Sequence, residues 1–230
     1  MLNFIFSIWI GLIGGGYWFT ATTANAGTSA NNTGVGSIAW GNVGNAADGL
    51  NSTFAQVSST TPSSISNYLR LSNYGFSIPA GATINGVKVT IRAGSVGDAL
   101  FLTGACTSPT INYYRVRLVN EASVVGTADK AADNTLTNNG VFADVFGGAV
   151  DTWSGDATGI NWNNSNSGVV VAFQWTASGS SNCTAVVDYV PIEITYTPAA
   201  GSGMPRRTIV SRAGKIERLE NGFNFLGDGL

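Results

Sequence analysis

Any chemistry this chain performs has to come from carboxylates, two cysteines and a tryptophan-bearing loop, because its 230 residues include no histidine. Without imidazole the usual general base, the Ser-His-acid constellation and the commonest metal ligand are all missing. Thirteen acids remain, and two carboxylates are enough for glycoside hydrolysis. The candidates are Asp144, Asp151 and Asp156, in a stretch with no strand period, and Asp188 beside Tyr189. Their context marks none of them as acid or base, so no catalytic residue is assigned and no enzyme is expected. The same acids with nearby Asn and backbone carbonyls could hold calcium, but their spacing fits no EF-hand and solvated turn acids are commoner. No metal or cofactor is expected. Gly14-Gly15-Gly16 and Gly147-Gly148 precede no strand-to-helix step and are not read as phosphate loops.

Trp153 and Trp162 sit among Gly, Asn and Asp in 131–167, the longest segment without a strand period. With Asp151 and Tyr189 they can be read as a ligand loop that stacks on sugar rings. The preferred reading makes both indoles lids over the end of a core, since large aromatics bury readily where turns cross a sandwich end. Cys106 and Cys183 are too few for a disulfide scaffold, yet both lie beside polar loop sequence. A bridge across a sandwich and two free thiols both stay open.

These residues need strands to position them. Charged residues are only 10% of the chain, Gly numbers 30, and Asn, Ser and Thr are frequent, which suits short strands joined by many turns. The most informative stretch is Tyr74–Ile91, YGFSIPAGATINGVKVTI. Phe76 and Ile78 alternate with polar neighbours, Pro79-Ala80-Gly81-Ala82 interrupts, and Val87, Val89 and Ile91 alternate with Lys88, Thr90 and Arg92, predicting two strands and a hinge. Further strands are expected at 37–40, at 64–72, at 111–119 with Tyr114, Val116 and Leu118 on one face, at 168–176 and at 183–197. Pro191 marks the last of these as an edge or a bulged strand. About eight strands at turn-separated spacing predict an all-β, jelly-roll-like two-sheet antiparallel sandwich over 37–198.

The ends differ from the body. Residues 2–19 are almost wholly apolar and precede Ala24-Asn25-Ala26, a small-x-small pattern like a signal-peptide cleavage site, though no Lys or Arg precedes the run. The run is short and Gly-interrupted for a spanning helix, so membrane contact is not expected. Residues 1–26 are therefore read as an apolar anchoring segment or a signal peptide, 27–36 as a flexible joint and 199–230 as a C-terminal arm. That arm holds Arg206, Arg207, Arg212, Lys215 and Arg218, whereas residues 1–69 contain no base at all. The net charge of −2, with no basic stripe in the body, argues against a nucleic-acid partner.

The succession 74–91, then Gly147-Gly148 with Asp151 and Trp153, Gly168-Val169, Val187-Asp188-Tyr189-Val190 and Ile194-Thr195-Tyr196-Thr197 resembles a β-sandwich module of tailed-bacteriophage structural proteins, also seen in some bacterial surface proteins. Ile38-Ala39-Trp40-Gly41-Asn42 and Asn45-Ala46-Ala47 fit its start. The resemblance spans about 36–197 and rests on turn and strand markers, which specify fold better than role. It implies a virion protein, a decoration, fibre or tail-associated subunit on capsid or tail, whose partners are identical subunits and other virion proteins, with a host-surface glycan as a further candidate. The expected assembly contacts are Phe4, Ile5, Phe6, Trp9, Tyr17, Trp18 and Phe19 at one end, and Arg206, Arg207, Phe223 and Phe225 at the other. The alternative is a secreted carbohydrate-binding or adhesive module using the Trp153/Trp162 loop.

Overall fold

Apolar residues that recur with period two between turn-forming clusters can be buried only as half-covered strands, and the computed structural model is built from them. It describes residues 8–10, 19–50, 52–97, 106, 110–121, 123–124, 128–131, 134–138, 140–176 and 183–199. All belong to the first of two units, Met1–Ala199; the second, Ala200–Leu230, lies outside the described residues. In chain order the strands are β1 (Ile8–Ile10), β2 (Phe19–Ala24), β3 (Thr28–Asn32), β4 (Ala55–Ser59), β5 (Tyr68–Ser72), β6 (Thr83–Val96), β7 (Ile111–Asn120), β8 (Ser123–Val124), β9 (Phe142–Gly147), β10 (Gly168–Trp175), β11 (Cys183–Tyr189) and β12 (Ile192–Thr197). They form two antiparallel sheets packed as an all-β sandwich.

The spine of the first sheet is β6. Its Val87, Val89, Ile91 and Ala93 are fully buried in the core, while Lys88, Thr90 and Arg92 alternate on the outer face. Along one side run β11 and β12 in succession, from Thr184 opposite Val96 to Thr197 opposite Thr83. Asp188 is the extra residue at a register shift in β11, and Val190-Pro191 then separates the two strands. Proline has no N–H to give the ladder, so the expected bulge falls here. The outer neighbours are β4 on β11, β2 on β12 and β1 on β2, and β9 takes the other side of β6.

The second sheet has the order β3-β5-β10-β7-β8. Its centre, β10, reads GVVVAFQW and is apolar on both faces because both are covered. Val169, Val171, Phe173 and Trp175 enter the core, while Val170 and Ala172 are buried on the outer face against Tyr68 and Val119. Four buried indoles each donate Nε1–H to a backbone carbonyl: Trp40 to Asn67 at 2.8 Å, Trp153 to Val87 at 2.8 Å, Trp162 to Ala157 at 3.0 Å and Trp175 to Cys183 at 3.0 Å. Large aromatics thereby bury apolar area without orphaning a donor. Cys106 and Cys183 are joined, 77 residues apart in sequence, which resolves the open choice in favour of a bridge.

Several expectations need correction. Residues 27–36 are not a free joint, because Thr28–Asn32 forms β3 and pairs with β5 from Thr28 opposite Ser72 to Asn32 opposite Tyr68. Nor are 19–24 outside the sandwich, since β2 pairs with β12 from Thr20 opposite Tyr196 to Ala24 opposite Ile192. Polar, Gly-rich sequence carries little strand signal, yet an available sheet edge satisfies its backbone equally well. Residues 37–40 are no strand: Ile38 makes an isolated bridge to Ser66, and Trp40 turns into the core. Phe76 and Ile78 also lie outside any strand. The Asn163 side chain takes a partner's place there, accepting from the Ile78 N–H at 2.7 Å and donating to its carbonyl at 2.8 Å. The segment 131–167 does hold a strand, β9. Finally, β7 bulges, with Arg115 opposite Ala172 and Tyr113 opposite Phe173. The extra residue, Tyr114, leaves the core face, and Ile111 and Tyr113 share that face with Val116 and Leu118.

Candidate functional site

The tryptophan loop is held by the backbone of one β6 residue. Val87 donates its N–H to the Asp151 carbonyl at 3.0 Å, and its own carbonyl accepts from Gly148 N–H at 3.1 Å and from the Trp153 indole at 2.8 Å. Gly147, at φ +74°, makes this approach possible, because a Cβ there would lie 2.3 Å from the Val87 carbonyl oxygen. Trp153 and Ser154 are also left-handed, at φ +53° and +55°. Trp153 is 0% exposed and Trp162 4%, the latter packed edge-on against Phe76 at 6.2 Å. Neither indole offers a face to a sugar ring, so the pair closes the end of the core and the ligand-loop expectation is not realised. Tyr189 remains partly exposed, with the Arg92 guanidinium 5.7 Å above its ring.

The four candidate carboxylates are dispersed, each with its own structural partner. Asp144 on β9 accepts from the Tyr113 hydroxyl at 2.8 Å, and burial together with that carboxylate pushes the phenol well above its ordinary pKa. Asp156 accepts from Ala128 N–H at 3.2 Å. Asp151 binds Lys130 Nζ at 2.8 Å and Trp153 N–H at 2.8 Å. Burial opposes its ionisation, but the bond from Lys130, the backbone N–H and the ammonium charge outweigh it and hold the carboxyl below its ordinary value. Asp188 has a fully buried side chain 3.0 Å from Arg92 Nε. Burial raises its pKa, Arg92 pulls it down and Asp48 pushes it further up, with a net upward shift. Among the described residues no three His, Cys, Asp or Glu side chains are grouped to hold a metal ion.

The outer face of the second sheet was not anticipated. Arg70 on β5 and Arg117 on β7 both lie opposite Val170 of β10, and Arg115 lies opposite Ala172. The three arginines thus flank a floor of small, fully buried residues, with Tyr68 and Tyr114 beside them. Arg115 and Arg117 each reach the same Asp129 oxygen at 3.2 Å. Arg115 also lies over the Tyr114 ring at 4.2 Å. Arg70 donates to the carbonyls of Glu121 and of Asn166, the latter at 2.7 Å, and its Nε is buried without a hydrogen-bond partner. The Arg115 and Arg117 side chains keep 34% and 26% of their surface exposed. Tyr68 is buried, and that burial raises its pKa against the pull of Arg117 and Arg115. The alternation of Arg115 and Arg117 was visible in sequence; their alignment with Arg70, 45 positions away, was not.

Of the expected assembly contacts, Phe4, Ile5, Phe6, Tyr17, Trp18, Arg206, Arg207, Phe223 and Phe225 lie outside the described residues. Trp9 lies on β1, and Phe19 opens β2 with 45% of its surface exposed. No helix among the described residues is long and apolar enough to cross a membrane. Comparison with known proteins assigns no family, since no family model, curated protein or solved structure matches the chain.

Proposed function

We propose that the chain is a structural protein of a tailed-phage virion, a sandwich displayed on capsid or tail and anchored through its ends in a lattice of identical and other virion subunits. The observation that carries this reading is where those ends enter and leave. Thr20 is the register partner of Tyr196, so the chain enters β2 and leaves β12 side by side at one end of the first sheet. Phe19 and Thr197, the outer ends of β2 and β12, thus lie close together on the first sheet, so that segments continuing from them could share one set of neighbouring subunits. A repeated symmetric interface then multiplies modest contacts. The Cys106–Cys183 bridge suits a protein that works outside a reducing cytoplasm. The test is cryo-electron microscopy of the native particle together with intact mass of the subunit. Retention of residues 1–26, packed between neighbours, supports the proposal. A free monomer in culture medium beginning at Gly27 overturns it.

A further inference from the structure

We infer that the outer face of the second sheet is a docking surface for an acidic polysaccharide. In the first sheet Lys88 pairs with Glu193 at 2.9 Å and Arg92 with Asp188 at 3.0 Å, one cation to one carboxylate. Strands β3, β5, β7, β8 and β10 contain three arginines and no acid. The register brings all three to one face, where Asp129, from outside the strands, serves two of them. Even with Glu121, the exposed residue after β7 whose carbonyl Arg70 reaches, the three arginines outnumber the nearby acids on a protein of net charge −2. Guanidinium groups recognise carboxylate and sulfate through paired donors, so the ligand is an anion.

Spacing selects the polymer. Arg70 and Arg117 are separated by two strand intervals, about 10 Å, which suits acidic groups set one per few sugar units. Duplex DNA presents a charge about every 1.7 Å of axis, a far denser row of anions. A single strand is held largely by stacking of its bases on aromatic faces, whereas Tyr68 is buried and Tyr114 already carries Arg115 on its ring. Hydroxyl and amide groups border the arginines on the same face: Thr28 and Ser72, bonded to each other at 2.9 Å, and Asn32, the register partner of Tyr68. These suit the hydroxyls of a sugar chain.

The test measures binding of the full chain to hyaluronate, with dextran as the neutral polymer and single-stranded DNA as the competing polyanion. Hyaluronate is expected to bind and to weaken as salt rises, while dextran does not bind. The double variant Arg115→Gln/Arg117→Gln should lose about tenfold in affinity, whereas Arg115→Lys/Arg117→Lys should keep most of it. Ala30 is exposed and lies opposite Arg70, so Ala30→Glu neutralises the face without removing an arginine and should weaken binding by about fivefold. It also decides the question if the double variant fails to fold. Lys88→Gln, on the other sheet, should leave binding unchanged. The inference is overturned if dextran binds as well as hyaluronate, if DNA binds more tightly than either, or if Ala30→Glu binds like the parent chain.

Discussion

The tryptophan loop at one end of the sandwich and the arginine face of the second sheet use their polar groups in opposite ways. In the loop every singular feature is consumed internally: Trp153 and Trp162 give their N–H groups to backbone carbonyls, and Asp151 is tied to Lys130 and to Trp153 N–H. On the arginine face two guanidinium groups share the single Asp129 carboxylate, while Arg70 is held by backbone carbonyls. The comparison separates groups whose partners complete the fold from groups with capacity left for something outside it.

The largest expected effect lies on the loop side. Trp153→Ala removes a fully buried indole and should cost about 3–5 kcal/mol, read from denaturant unfolding. A loss below 1 kcal/mol would mean that the loop does not lid the core. Replacing Cys106 and Cys183 by serine releases a closure of 77 residues and should cost about 2–4 kcal/mol. Thermal unfolding with and without reductant gives the same comparison. By contrast, Arg115→Gln and Lys88→Gln should each cost about 1 kcal/mol or less, because both belong to partly exposed ion pairs. Only the former should alter polyanion binding.

Acid titration separates two paired carboxylates whose native pKa values move in opposite directions. The folded chain holds the Asp188 proton more tightly than the unfolded chain, because burial outweighs Arg92. Stability from this group therefore falls as pH rises from the ordinary carboxylate value to the raised native one, and Asp188→Asn should flatten that part of the profile. Asp151 has the opposite sign. Its native value is lowered, so its contribution is complete above the ordinary carboxylate value and is lost as pH falls through the native one. Lys130→Ala should remove that acid-side loss, worth about 1 kcal/mol at most for a partly exposed pair. Stability against pH for the two variants, measured in one buffer series, checks both signs.

Much of the fold was legible where alternation was strict. Val87, Val89 and Ile91 alternate with polar neighbours in the sequence, and all three are buried together. Legibility failed where the backbone found partners without an apolar pattern. β3 reads TSANN and is a strand because β5 offers it an edge, while Phe76 and Ile78 alternate correctly yet join no strand, Ile78 being met by the Asn163 side chain. At Tyr114 a one-residue bulge reversed the phase that alternation predicted, since a slip of one residue exchanges faces.

The sequence by itself determined the class of the fold, the strong strands and the inward faces, because period-two burial is a local property of the chain. It also set how many charges there are and on which side of each strand they stand. Only the tertiary structure decided which strands became neighbours. Arg70 and Arg117 stand on strands far apart in the chain and share a face only because β10 is inserted between those strands. Cys106 likewise meets Cys183 only across the folded sheets. Side-chain alternation specifies faces, but the order of strands in a sheet comes from edge pairing and chain connection over long range, which no local pattern encodes.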